Sequence, residues 1–134
     1  MLKMNHIGIV VKSIQKYLKY SPYHSLSKHT LDDIQNSYMG LIETKGDEPN
    51  IELIEPINEQ STTFNFLTGK GGGIHHFCYE VDNIDKLNFF LQSNNIKQIY
   101  GPVQARLFDD KAVVFGYTKN KEVIEFIITD DLQV

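Results

Sequence analysis

The sequence predicts an α+β fold built from two βαβββ modules, and three observations carry that reading. Asn5-His6-Ile7-Gly8-Ile9-Val10-Val11-Lys12-Ser13-Ile14 returns 70 positions later as His75-His76-Phe77-Cys78-Tyr79-Glu80-Val81-Asp82-Asn83-Ile84. Each half later carries a Glu inside an apolar run, in Asn50-Ile51-Glu52-Leu53-Ile54-Glu55 and Val123-Ile124-Glu125-Phe126-Ile127-Ile128. The chain has 134 residues, 41% of them hydrophobic, which is enough for one core but not for two. Repeated halves in a chain of that size must therefore share a core. The expected organisation is a single domain over 1–134, with module 1 at about 1–57, a linker at about 58–73 and module 2 at about 74–134.

The elements follow in order. His6 to Val11 alternates two faces as a strand does. Ser13 is a plausible N-cap for a helix over Ile14 to Tyr20, which must end by Ser21-Pro22 because the residue before proline avoids helical angles. Strands are expected at Ser25 to His29, Asn36 to Ile42 and Asn50 to Glu55, with the turn cluster Lys45-Gly46-Asp47-Glu48-Pro49 before the last. The connection Pro56 to Gly73 has room for a short helix at Ser61 to Leu67. In the second half, the strand His76 to Val81 leads to a helix near Ile84 to Ser93 with Asp82 as its N-cap, stopped at Asn94-Asn95. Strands near Lys97 to Tyr100, Ala112 to Tyr117 and Val123 to Thr129 complete the repeat. The glycine run Gly69-Lys70-Gly71-Gly72-Gly73 leads into a strand rather than a helix, so it lacks the context of a phosphate-binding loop.

Composition narrows the function classes. A net charge of −4 offers no basic face for nucleic acid. No apolar run approaches the roughly 18 to 20 residues that span a bilayer, and the start has no signal-peptide order, so a soluble protein without membrane partners is expected. One cysteine forbids an internal disulfide and fits a reducing compartment, with cytoplasm as the default.

Alternation sorts the side chains. His6, Gly8 and Val10 share one face, as do His76, Cys78 and Glu80. If the halves pack by pseudo-twofold symmetry, His6, Glu52, His76 and Glu125 converge, and two imidazoles with two carboxylates make a site for one divalent metal ion. An ionised Glu flanked by Ile51 and Leu53, or by Ile124 and Phe126, either alternates out to water on an edge strand or is buried with a cation. For Cys78 the simpler reading is a small buried hydrophobe. His24, His29 and His75 are read as surface groups or as groups behind the ligands.

At these residues the chain resembles the vicinal oxygen chelate superfamily, which includes glyoxalase I, methylmalonyl-CoA epimerase, extradiol dioxygenases and bleomycin-resistance proteins. The segments HIGIVVKSI, IELIEP, STTFNFLTGKGGGIHHFCYEVDNI and VIEFI are most similar to the epimerase-like branch. The resemblance implies two βαβββ modules forming a cupped mixed sheet around one metal, with ligands at His6, Glu52, His76 and Glu125. Register selects His76 over His75, because His75 aligns with Asn5. The extradiol dioxygenases have a His where this chain has Glu52, which disfavours redox oxygen chemistry. The metal itself is open among Zn, Ni, Co, Mn and Fe, all of which accept mixed nitrogen and oxygen ligands.

The activity that the resemblance implies is proton transfer beside a metal-bound carbonyl, as in epimerisation of an acyl-CoA thioester or isomerisation of a glutathione hemithioacetal. The resemblance also implies a small-molecule substrate, such as a thioester, and a homodimer. Glu125 is expected to serve as both ligand and base. A second base is expected near Leu31-Asp32-Asp33-Ile34-Gln35-Asn36, where Asp33 and Gln35 are the candidates and the two aspartates read equally as turn residues. Arg106, the only arginine, is expected to rim the cavity from the loop Gly101 to Lys111, either holding a substrate anion or standing in solvent. The alternative to an enzyme is a non-catalytic small-molecule binding or resistance protein of the same fold, for which two buried carboxylates opposite two imidazoles have no use.

Overall fold

The computed structural model describes residues 2–130. Its elements run β1 (Lys3–Val10), α1 (Ile14–Tyr20), β2 (Lys28–Asp32), β3 (Ser37–Ile42), β4 (Asn50–Pro56), α2 (Phe64–Lys70), β5 (Gly73–Val81), α3 (Ile84–Ser93), β6 (Lys97–Ala105), a 3-10 turn (Arg106–Phe108), β7 (Lys111–Tyr117) and β8 (Val123–Ile128). The eight strands form one mixed sheet in the order β2-β3-β4-β1-β5-β8-β7-β6. Read outward from the centre, β1-β4-β3-β2 on one side matches β5-β8-β7-β6 on the other, so the sequence repeat is a pseudo-twofold in space. The axis lies between β1 and β5, which pair antiparallel, while β1–β4 and β5–β8 pair parallel.

Alternation along the strands divides the core into two layers. On the outer face, Ile14, Tyr17 and Leu18 of α1 cover Val11, Ile42 and Leu53, and Leu87 and Leu91 of α3 cover Val81, Val114, Phe126 and Ile128. On the inner face, Val10, Met39, Leu41 and Ile54 from one module and Cys78, Val113, Phe115 and Ile127 from the other form two further clusters. The helices seal one side of the sheet, leaving the cupped side for the site. Among the described residues, no helix is long and apolar enough to cross a membrane.

Several boundaries differ from the sequence expectation. The second strand is Lys28–Asp32 rather than Ser25 to His29, because Asp32 is buried and its Oδ1 accepts from the backbone N–H of Ile34 and Gln35, which delays the turn. The linker helix is Phe64–Lys70 rather than Ser61 to Leu67. The Ser61 hydroxyl is instead committed to the loop, accepting from Ile57 N and Asn58 N and donating to the Asn36 carbonyl. The N-cap of α3 is Asn83, whose side chain accepts from Lys86 N at 2.9 Å, while Asp82 pairs with the Lys86 ammonium. The sixth strand continues past Gly101-Pro102 to Ala105, where a strand ending at Tyr100 is expected from the sequence. It is an edge strand, so the missing N–H of Pro102 costs no ladder bond, and register shifts around Tyr100 absorb the interruption.

Candidate metal centre

Four strands deliver the four donors. His6 on β1 and His76 on β5 sit either side of the pseudo-twofold axis, while Glu52 on β4 and Glu125 on β8 come from the neighbouring parallel strands. The ladders align Gly8 with both Glu52 and His76, and Cys78 with both Glu125 and His6. A small residue therefore lies beside each imidazole. All four donor residues are buried. Their ligand atoms lie within 4.8 Å of one another.

The spacing is that of a coordination polyhedron. His6 Nε2 lies 2.9 Å from Glu125 Oε1, 3.5 Å from Glu52 Oε1 and 3.3 Å from His76 Nε2. His76 Nε2 lies 3.1 Å from Glu125 Oε1 and 3.5 Å from Glu52 Oε1. Donors about 2.1 Å from a common ion stand ~3.0 Å apart at right angles and ~3.4 Å apart at the tetrahedral angle. The five edges, between 2.9 and 3.5 Å, lie within about 0.1 Å of that range. Glu125 Oε1 is buried and has no hydrogen-bond partner, although both Nε2 atoms point at it. An orphaned carboxylate oxygen facing two imidazole nitrogens is costly without a shared cation. The donor set and this orphan atom fit one divalent ion.

Without an ion, the charges of the cluster lean on one another. For His6, the burial that opposes charge is outweighed by the facing Glu52 and Glu125 carboxylates, and its pKa is raised. For His76, burial is again outweighed, here by Glu125 and Glu52, and the pKa is raised. Burial would raise Glu52 and Glu125, but the imidazoles prevail and lower both. Burial also pushes the Cys78 thiol up, so it stays neutral beside the centre.

Groups behind the ligands orient them. Glu80 Oε2 accepts from Asn5 Nδ2 at 3.1 Å, which turns Asn5 Oδ1 toward His6 Nδ1 at 2.7 Å. A carbonyl oxygen only accepts, so Nδ1 carries the hydrogen and the Nε2 lone pair faces the centre. The symmetric partner is His75, whose Nδ1 lies 2.8 Å from His76 Nδ1 and whose pKa is pushed down to about 4 by burial and by His76. Aromatic rings wall the imidazoles: Phe108 stacks on His6 at 4.7 Å and Phe115 meets His76 edge-on at 5.2 Å.

A cavity of about 300 Å³ opens over His76, lined on its polar side by Gln35, Thr62, Thr63 and His75 and on its apolar side by residues including Ile54, Tyr100 and Phe115. Asp33 and Arg106 are not part of it. The Asp33 carboxylate is 67% exposed and accepts from Arg106 Nε at 2.8 Å, and Arg106 Nη1 also donates to Asp110 at 2.9 Å. These mutual contacts hold the Asp33 pKa down and that of Arg106 up. The two residues clamp module 2 to module 1 at the surface. Asp33, one of the two candidates for the second base, and Arg106, the candidate for holding an anion, do not line the cavity. Gln35, the other candidate of that segment, does line it, positioned by the bond from its backbone N–H to Asp32. Thr62 and Thr63 escaped sequence reasoning because the linker has no counterpart in the repeat and no periodicity to place them.

The fold and the four-donor centre define a class. The Glyoxalase/Bleomycin resistance protein/Dioxygenase superfamily matches residues 5–115, and the chain belongs to that superfamily. It is 29% identical to the mitochondrial methylmalonyl-CoA epimerase of Dictyostelium discoideum over 125 residues, covering 88% of this chain and 72% of that protein. With the human mitochondrial methylmalonyl-CoA epimerase the identity is 27% over 128 residues, covering 88% and 68%. Among solved structures, methylmalonyl-CoA epimerase from Mycobacterium tuberculosis superposes with a TM-score of 0.81 at 22% identity, over 96% of this chain and 89% of that one. A hypothetical protein from Bacillus halodurans C-125 gives 0.79 at 26% identity, over 99% and 98%. A methylmalonyl-CoA epimerase in complex with methylmalonyl-CoA and NH4+ gives 0.74 at 18% identity, over 96% and 94%.

Proposed function

We propose that the protein is a divalent-metal-dependent, epimerase-like isomerase that moves a proton on the carbon next to the carbonyl of an acyl-CoA thioester. The observation that carries this reading is the buried cluster of His6, Glu52, His76 and Glu125, of which His76 lines a cavity, in a chain whose relatives include methylmalonyl-CoA epimerases. An ion held by these four donors would draw electron density from a substrate carbonyl and acidify the adjacent C–H bond. The chain supplies the rest. The Asn5 and His75 contacts hold the imidazoles with Nε2 toward the centre, the apolar wall excludes water, and a carboxylate must carry the proton. Glu125 is the base in this reading. Among the described residues, no carboxylate lines the cavity, and the nearest pair, Glu52 and Glu125, sits beside His76 in the donor cluster, so acid–base work falls on the ligand set.

The test is solvent exchange. Metal-loaded protein incubated with methylmalonyl-CoA in heavy water should place deuterium at the 2-position, as read by NMR, and chelation should stop it. Glu125→Gln, compared at a metal concentration that saturates each variant, should lose at least about a hundredfold in exchange rate, because an amide oxygen can coordinate but cannot take the proton. His76→Ala should instead lose bound metal. Full exchange in saturated Glu125→Gln would remove Glu125 as base, and no exchange by the metal-loaded wild type would remove the reaction.

A further inference from the structure

The pseudo-twofold relates the two imidazoles, yet their surroundings differ. His76 lines the cavity, whereas His6 is fully buried and lies under the ring of Phe108, with centroids 4.7 Å apart and an interplanar angle of 6°. Phe108 belongs to module 2 and covers a histidine of module 1. Its counterpart in the repeat is Gln35, since each is the third residue past its strand, β6 for Phe108 and β2 for Gln35. Gln35 lines the open cavity together with His76. Where module 1 leaves space beside the histidine of module 2, module 2 lays an aromatic ring on the histidine of module 1.

The turn that carries Phe108 is held from several sides. Leu107 is buried in the inner cluster of module 1 with Val10, Met39, Leu41 and Ile54. Phe108 packs against that cluster and against the inner cluster of module 2, so it stands on the seam between them. The Arg106 backbone N–H donates to Asp32 Oδ2 at 3.4 Å, and the Lys28 ammonium donates to Asp109 Oδ1 at 2.8 Å, which ties the turn to β2. Asp109 and Asp110 both adopt left-handed backbone angles, with φ of 55° and 61°. Such angles cost a residue that has a Cβ and persist where the surroundings impose them. The exposed ion pair is a weak anchor and the burial of Leu107 a strong one.

We propose that Phe108 is a positioning residue for the metal centre: its ring, standing where the cavity stands on the other side of the axis, fixes the plane of the His6 imidazole. The assignment rests on the four-donor metal reading above. The contact between His6 Nδ1 and Asn5 Oδ1 sets which nitrogen carries the hydrogen, but a single hydrogen bond leaves the ring free to rock. A flat apolar face laid along the ring removes that freedom and keeps Nε2 aimed at the centre.

The probe is Co(II), titrated into the protein in competition with a chelator. Phe108→Leu, which keeps apolar bulk on the seam but has no flat face, should weaken Co(II) binding about tenfold. Phe108→Tyr, which restores the ring, should return it to the wild-type value. Leu91→Ala, a core deletion under α3 on the outer face of the sheet, should lower the melting temperature of the metal-free protein without weakening Co(II) binding. That control separates lost positioning from lost stability. Two further backgrounds show which donor Phe108 acts through: adding Phe108→Leu should leave the residual affinity of His6→Gln as it is, and should keep its full effect in His76→Gln. Wild-type affinity in Phe108→Leu, an equal loss in Phe108→Tyr, or an equal effect in the two histidine backgrounds overturns the proposal. A wild type that binds no Co(II) takes down the metal reading and the role of Phe108 with it, whereas tight Co(II) binding that ignores Phe108 removes the positioning role alone.

Discussion

At the scale of single residues, the geometry of the centre depends on what is absent at Gly8. A Cβ there would clash with the His76 ring, 2.2 Å from Cε1 and 2.5 Å from Nε2. Gly8 and Cys78 are equivalent in the repeat, yet Cys78 carries a side chain beside His6 while Gly8 leaves His76 the space of one. Gly8→Ala should therefore push the His76 ring off the centre without deleting a donor, costing about 1–3 kcal/mol in stability by overpacking and weakening metal binding about tenfold or more. Cys78→Ala, which only empties space, should keep the metal affinity. Titration against a competing chelator, with thermal melts of both variants, reads the two effects; unchanged affinity in Gly8→Ala would show that ring placement does not set binding. The cluster was legible in the sequence because each half carries a His on its first strand and a Glu inside its last. Asp33 and Arg106 were not, since their pairing is a contact between modules that no local pattern encodes. The Asn5–Glu80 bond is of the same kind, linking a residue on β1 to one on β5.

At the scale of elements, hydrophobic alternation placed the strands next to the axis correctly, while capping and edge chemistry moved the boundaries further out. Asp82 and Asn83 are both good N-cap residues, so composition alone could not choose between them. Packing decided, because a helix starting at Ile84 turns Leu87 and Leu91 onto Val114 and Phe126. Asn83→Ala should cost about 1 kcal/mol as a lost cap, whereas Asp82→Ala, which removes only an exposed i,i+4 pair with Lys86, should cost well under that. Urea denaturation of both variants distinguishes them, and a larger loss for Asp82→Ala would return the cap to Asp82. The same reasoning explains β2: a buried Asp32 that accepts two backbone N–H groups fixes the turn at 33–36, so the strand runs on to Asp32.

At the scale of the whole molecule, the two modules meet in a charge cluster that is balanced only with a cation or with protons on the imidazoles, and this ties stability to pH and metal together. In the metal-free protein, His6 and His76 have raised pKa values, so their contribution to stability is complete below the ordinary histidine value of about 6.5 and is lost as pH rises through the raised values. Glu52 and Glu125 are lowered, so theirs is present above about 4.3 and fades as pH falls through the lowered values. The metal-free protein should thus be most stable in mildly acidic solution. Toward alkaline pH the imidazoles lose their protons and leave two buried carboxylates facing each other at the centre. A divalent ion takes the place of those protons, and at higher pH it has fewer of them to displace, so its affinity should rise with pH. Melting temperatures measured with chelator and with excess metal should therefore diverge: the gain from metal should be small at pH 6 and larger at pH 9. In His76→Ala the pH dependence of that gain should shrink, because one of the two titrating donors is gone. An equal gain at both pH values in the wild type would mean that the imidazoles are not what the metal displaces protons from, and the four-donor assignment would fail with it.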